Sequence, residues 1–232
     1  MSEILVGGVE TFSTVDFPGK LAAVVFMQGC PWRCPFCYNA IIQKIGQQTN
    51  FLWPKFIEFL KTRIGKLDAV VFSGGEPLVQ DSLADAIIEV KKLGYEIGLH
   101  TGGYRPEHLL KVLPLVDWVG LDIKSPLEAE RYQQITKTNH LKQVRQSLDL
   151  LLSSGKDFEC RTTCDPRYLT IEDICQIGDT LSRLGVKKYF LQKYRPVPSD
   201  VHTTDSDCEN LISSAQIIQN LKPKFAEFDI RK

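Results

Sequence analysis

The sequence predicts an α/β fold, and three observations carry that prediction. Short apolar, β-branched runs recur along the chain, stretches of helical period separate them, and glycines close the helices where the next strand begins. Strand and helix in alternation imply parallel strands with right-handed crossovers, as an open sheet or a curled barrel, with the active site at the carboxyl ends of the strands. At about 150 residues per domain, a chain of 232 residues suits one large α/β domain. Its 43% apolar and 24% charged residues exclude a mostly disordered or fibrous protein.

The elements follow in order. Residues 1–20 read as an amino-terminal extension, and Leu21 to Met27 is the first strand. Pro54 to Ile64 is an amphipathic helix: Phe56, Leu60 and Ile64 share a face, Pro54 opens it and Gly65 closes it. Ala69 to Phe72 is a strand, and Leu83, Ile87 and Val90 repeat the helical period before Gly94. Tyr95 to His100 and Trp118 to Ile123 are strands. Leu141, Val144, Leu148 and Leu151 make the next helical stripe before Gly155, followed by a strand from Phe158 to Thr163. Ile171, Ile174 and Leu181 precede Gly185 and a strand from Lys188 to Gln192. Residues 21–196 thus form the core, and 197–232 a carboxyl-terminal helix and a strand from Phe225 to Ile230. No low-complexity linker interrupts the chain, so residues 1–232 are expected to be a single domain.

The 28 basic residues balance the 28 acidic ones, so no global field draws the chain to nucleic acid or anionic lipid. Apolar runs are far shorter than the roughly 20 residues of a membrane span, and the first residues, MSEILVGG, have no basic region leading into an apolar one. A cytoplasmic protein, with neither nucleic acid nor membrane as partner, is expected. Seven cysteines, an odd number, argue against a disulfide framework and towards metal or redox chemistry.

Three of the seven stand together directly after the first strand, in Gly29-Cys30-Pro31-Trp32-Arg33-Cys34-Pro35-Phe36-Cys37-Tyr38-Asn39. Chance would place cysteines at both offsets from a given one about once in a thousand. Pro31 and Pro35 discourage a helix here, so the loop must wrap around something. Three thiolates suit zinc with a fourth ligand from elsewhere, or three irons of a four-iron cluster whose fourth iron stays open to a small molecule.

Cys30, Cys34 and Cys37, with Phe36 before the last, resemble the cluster motif of the radical S-adenosylmethionine (SAM) superfamily. Ser73-Gly74-Gly75-Glu76-Pro77 after the second strand resembles that superfamily's glycine-rich turn. Asp16 to Lys20, Gln28-Gly29-Cys30, Asn39, Thr101-Gly102-Gly103, Asp122-Ile123-Lys124 and Arg161-Thr162-Thr163 are similar to the glycyl-radical-enzyme activating enzymes. The likeness runs over residues 7–196 and extends to the activating protein of anaerobic ribonucleoside-triphosphate reductase. It implies a partial (β/α)6 TIM-like barrel of the radical SAM type, carrying a [4Fe-4S] cluster and S-adenosyl-L-methionine. It also implies reductive cleavage of SAM to methionine and a 5′-deoxyadenosyl radical. The implied partners are a glycyl radical enzyme, anaerobic ribonucleotide reductase first, and a low-potential electron donor such as flavodoxin or ferredoxin. Two other readings remain: a radical SAM enzyme modifying a small molecule or peptide, and a non-catalytic zinc or cluster-binding module.

The resemblance also implies roles. Cys30, Cys34 and Cys37 would hold the cluster, and Gly74, Gly75 and Glu76 the SAM amino group. Lys124 would meet the SAM carboxylate with Arg161 as a second cation, and backbone groups of Phe36 and Tyr38 would bracket adenine. Thr101, Asp122 and Gln192 complete the expected cofactor-binding set, and Arg195 is a further candidate. His100 stands where related activases often carry an Asp that helps hold a monovalent cation, and Tyr38 where many have His. Period-two geometry, independently, puts Gly120, Asp122 and Lys124 on one face and Val119, Leu121 and Ile123 on the other. The polar face would look into the site, or into solvent if the strand lies at an edge. Cys160 and Cys164 lie opposite Arg161, as core thiols or as ligands of an auxiliary cluster; Cys175 and Cys208 read as core.

Overall fold

A computed structural model describes residues 4–197 and 200–232. Residues 1–3 and 198–199, which fall in the expected amino-terminal extension and carboxyl-terminal segment, lie outside the described residues. The order of elements is β1 (Val6–Ser13), β2 (Ala22–Met27), α1 (Trp53–Lys61), β3 (Ala69–Gly74), α2 (Leu83–Lys91), β4 (Glu96–Thr101), α3 (Pro106–Val112) and β5 (Trp118–Asp122). Then come α4 (Ala129–Thr136), α5 (Leu141–Ser154), β6 (Asp157–Cys164), α6 (Ile171–Leu184), β7 (Lys188–Lys193), α7 (Asp205–Ile212), α8 (Ala215–Leu221) and β8 (Glu227–Arg231). The strands stand in sequence order, β1 to β8, in one sheet. β2–β3, β3–β4, β6–β7 and β7–β8 pair parallel, while β1 runs antiparallel to β2.

The alternation read from the sequence is present, with additions. β1 gives no local signal, because Gly7 and Gly8 weaken it as a strand; it forms by pairing Val9 with Val25 of β2, with register shifts on either side. α3 and α4 are short, and α4 buries only Tyr132, Ile135 and Thr136. The helix expected over 54–64 stops at Lys61, and Ile64 is exposed and bridges to Leu67 instead of extending the apolar face. The carboxyl-terminal segment holds two helices where the sequence suggested one.

By packing, the chain divides into two units, one comprising the chain up to Trp32 with Asn39–Gly120 and Gln143–Asp157, the other Arg33–Tyr38, Leu121–Lys142 and Phe158–Lys232. In the first, Ala22 and Val24 of β2 lie in register with Ala69 and Val71 of β3. Together with Phe17 and Trp118 they form a buried cluster, in which the two rings meet at 5.4 Å. Phe17 comes from the Asp16 to Lys20 segment, so that motif also plugs the core. Gly98 of β4 makes room for it: a Cβ there would stand 2.9 Å from the Phe17 ring and 3.0 Å from Val71. Gly98→Val is therefore expected to cost about 1–3 kcal/mol by overpacking, read as a lowered thermal midpoint.

The second unit is built on β6, β7 and β8. Thr170 and Asp173 form a reciprocal capping box that starts α6, and Gly185 at φ +95° ends it. Thr204 and Asp207 cap α7 in the same way. Arg231 ties β8 back to the buried Glu159 of β6 and covers the Phe190 ring at 3.9 Å. Among the described residues, no helix is long and apolar enough to cross a membrane.

Candidate active site

The first unit carries Cys30, the Gly74–Glu76 turn and Thr101. β3 ends at Gly74 with φ +105°. A Cβ on Gly74 would lie 2.3 Å from the Met27 nitrogen, and one on Gly75 2.2 Å from the Gly29 carbonyl oxygen. Only glycine permits this approach of backbone to backbone. It lets Gly75 N donate to Met27 O at 2.9 Å and Glu76 N to Gly29 O at 2.8 Å, which sews the turn to the segment leading into Cys30. Gly29 N and Cys30 N donate in turn to the carbonyls of Ile42 and Gln43.

Glu76 is 1% exposed, and its carboxylate works inside the protein. It accepts from Leu78 N at 3.0 Å, Thr101 Oγ1 at 2.6 Å and Gly102 N at 2.8 Å. Thr101 Oγ1 also accepts from Gly103 N at 2.9 Å. The carboxylate thereby joins the turns that follow β3 and β4. Glu76→Gln would set an amide NH2 against one of these donors. The expected result is a loss of about 1–3 kcal/mol in urea unfolding.

His100 is buried on β4. Its Nε2–H donates to the Asp16 carbonyl at 2.8 Å, its Nδ1 lies 3.2 Å from Ser73 Oγ, and its ring meets Trp118 edge-on. The imidazole thus bridges the Asp16 segment to the end of β3.

The second unit carries Cys34, Phe36, Cys37, Tyr38, Asp122, Lys124, Arg161 and Gln192. Cys37 N donates to Cys34 O at 3.2 Å, closing a turn in which Pro35 presets the first corner. Cys34 is buried and Cys37 half-buried. Burial pushes the Cys34 thiol up to about 11, against a downward pull from the Lys124 ammonium. Phe36 rests on Tyr168 and Tyr38 stacks on Tyr194, while Arg195 N donates to the Tyr38 hydroxyl at 2.6 Å.

At the end of β5, Asp122 Oδ1 accepts from Arg161 Nε at 3.0 Å and from Nη2 at 2.8 Å, and Lys124 Nζ lies 3.4 Å from Oδ2. Two cations thus share one carboxylate. Val119, Leu121 and Ile123 are fully buried, and β5 stands between β4 and β6 in the strand order. The solvated-edge reading of this strand therefore falls away. Gln192 lies near the carboxyl end of β7, half-buried, in register with Thr163.

A family model for the radical SAM superfamily matches residues 24–181. The chain belongs to the radical SAM superfamily. Among its relatives, a Methanocaldococcus jannaschii protein whose name places it with the glycyl-radical enzyme activating enzymes is 31% identical over 206 residues, 83% of this chain and 80% of its own length. The pyruvate formate-lyase-activating enzyme of Listeria monocytogenes is 36% identical over 156 residues, 60% of this chain and 61% of the enzyme. Within the radical SAM superfamily the chain is therefore an enzyme of the glycyl-radical-enzyme activating family, and this family uses a [4Fe-4S] cluster and SAM. Streptococcus suis SuiB, in a crystal structure with bound S-adenosylmethionine, superposes with a TM-score of 0.69 at 12% identity, over 88% of this chain and 48% of that one. That likeness bears on the fold, the partial (β/α)6 barrel of radical SAM enzymes.

Among the described residues, no three His, Cys, Asp or Glu side chains converge as ligands of one metal ion would. A radical SAM cluster asks for something different, one thiolate on each of three irons. Cys160 and Cys164 are wholly buried, and desolvation holds both thiols well above the ordinary range, as for inert core cysteines. Sequence reasoning missed the aromatic partners Tyr168 and Tyr194 and the double hydrogen bond from Arg161 to Asp122. Each joins residues far apart in the chain, and no local pattern marks them.

Proposed function

We propose that this protein activates a glycyl radical enzyme: it cleaves SAM reductively and leaves a stored radical on a backbone glycine of a separate protein. The observation that carries the reading is the conjunction of the three-cysteine loop with the cationic group around Asp122, in a chain whose relatives are named as activating enzymes. Cys30, Cys34 and Cys37 would hold the cluster, whose chemistry is delivery of one low-potential electron to SAM. The donor set fits that group: three cysteines on one loop, two of them set by the Cys34–Cys37 turn.

The other residues bind and orient. Lys124, with Arg161 behind the shared Asp122, offers positive charge to the SAM carboxylate. The Gly74–Gly75 backbone, held by Glu76 and Thr101, would meet the amino group, Phe36 and Tyr38 the adenine, and Gln192 the remaining polar edge. Seven cysteines, an odd number, suit the reducing cytoplasm, where flavodoxin or ferredoxin would be the donor.

Anaerobic ribonucleoside-triphosphate reductase is the partner we propose, on the likeness at Asp16 to Lys20, Asn39 and Asp122 to Lys124. Pyruvate formate-lyase is the second reading, favoured by the name of the 36% identical Listeria relative. A glycine suits either case, because its radical is delocalised over both flanking amides and its backbone freedom lets it enter a deep site. The test mixes reduced enzyme and SAM with each partner anaerobically and records the electron spin resonance spectrum. The expected result is a glycyl doublet with one partner, lost when that partner's carboxyl-terminal glycine is changed to Ala. 5′-Deoxyadenosine release without a protein radical would overturn the reading in favour of a small-molecule or peptide substrate, and no release at all in favour of a binding module.

A further inference from the structure

We propose that Arg167 is a positioning residue for the cysteine loop, acting through the two tyrosines on which Phe36 and Tyr38 rest. Its guanidinium carbon lies 5.2 Å from the ring centre of Tyr168 and 5.2 Å from that of Tyr194. Phe36 packs on the first of these rings at 6.3 Å, and Tyr38 stacks on the second at 5.5 Å with the planes 13° apart. The loop segment from Cys34 to Tyr38 therefore leans on a pair of rings held by one cation.

The cation is itself held on two sides. Arg167 Nη2 and Nε donate to the fully buried Asp165 at 2.6 and 3.0 Å, and Nη1 lies 2.7 Å from Asp200. Tyr194 donates its hydroxyl to the same Asp200 oxygen at 3.1 Å. This fixes the Tyr194 ring at both its face and its tip. Arginine is required by the geometry: a planar fork pairs with two carboxylates while its faces lie against rings, and a lysine ammonium cannot do both. Beyond Tyr38, Arg195 N caps the Tyr38 hydroxyl, so the same ring is tied to the end of β7. Phe36 and Tyr38 flank Cys37 on either side, and displacement of either ring would carry the thiol with it.

The proposal deepens the reading of Cys34 and Cys37 as cluster ligands and rests on it for its functional meaning, so two readouts separate the two. The first uses the cluster-free full-length chain under anaerobic conditions and follows alkylation of each cysteine by iodoacetamide with peptide mass spectrometry. In Arg167→Lys, which keeps the charge near Asp165 and protects folding, and in Arg167→Met, Cys34 and Cys37 are expected to react faster. In Arg167→Met the rise should be about tenfold, the factor that follows from losing two ring contacts of the cation–π kind. Cys160 and Cys164, wholly buried in the same unit, should stay unreactive. Tyr38→Ala, at a half-exposed position, should give a similar rise, and the double variant with Arg167→Met no more than the larger single effect. Unchanged rates at Cys34 and Cys37, equal rises at Cys160 and Cys164, or additive effects in the double variant would overturn the proposal.

The second readout is iron loss to a chelator from the reconstituted enzyme, expected to be faster in Arg167→Lys than in the parent. Unchanged iron loss would overturn the link between the clamp and the cluster. If instead Cys34→Ala and Cys37→Ala retained iron, the ligand reading would fall while the alkylation result still decided the clamp.

Discussion

Replacing Cys30, Cys34 or Cys37 with Ala is expected to strip the reconstituted chain of iron and sulfide, and Cys160→Ala or Cys164→Ala to leave it near about four irons per chain. The contrast is physical. A thiol must ionise to bind iron, and burial holds Cys160 and Cys164 far above that point, the downward pull of Arg161 on Cys160 being smaller than the cost of desolvation. Cys34 has the Lys124 ammonium nearby, and Cys37 is only half-buried. The two core substitutions remove one sulfur each from packed surroundings and should cost modest stability without touching the cluster. Iron analysis and the visible absorption of anaerobically reconstituted protein check this, and iron loss in Cys160→Ala or Cys164→Ala would overturn the assignment of ligands.

Lys124→Met should leave iron content at its parent level while SAM affinity falls by about 1.5–3 kcal/mol, which is about tenfold to a hundredfold in Kd. The substitution keeps the side chain's length and removes its charge. Asp122 retains both hydrogen bonds from Arg161 in the variant, so the local frame should persist. Asp122→Ala would be a poorer probe, because it takes this carboxylate from the buried Arg161 guanidinium, a loss of about 1.5–3 kcal/mol for a charged hydrogen-bonded contact. Equilibrium binding of SAM to the cluster-loaded protein measures the effect. Unchanged affinity would mean that Lys124 does not face the cofactor, and with it would go the assignment of the polar face of residues 120–124.

Much of the candidate site was legible in one dimension because its motifs are local. Three cysteines within eight residues, two prolines that discourage a helix and a glycine pair after the next strand can each be read without neighbours. The alternation in residues 119–124 was legible for the same reason: Val119, Leu121 and Ile123 are fully buried, while Asp122 and Lys124 share the other side. The role of Glu76 was harder to see. Its place in the motif suggested a cofactor contact; in the fold its carboxylate also ties the Gly74–Gly75 turn to Thr101, a link across 25 residues that no spacing rule anticipates.

The sequence by itself determined the alternation of strands and helices and the family, since periodicity, turn chemistry and motif spacing all act over a few residues. Tertiary structure decided what depends on pairing at a distance. β1 exists because β2 offers it an edge, Gly98 is needed because Phe17 fills the space above it, and Asp122 is a hub because β6 brings Arg161 beside it. Phe36 and Tyr38 gain their supports only when the ends of β6 and β7 deliver Tyr168, Arg167 and Tyr194. The reason is common to all four: a side chain's period shows which way it points, and the partner it then meets is set by the register of strands that lie far away in the chain.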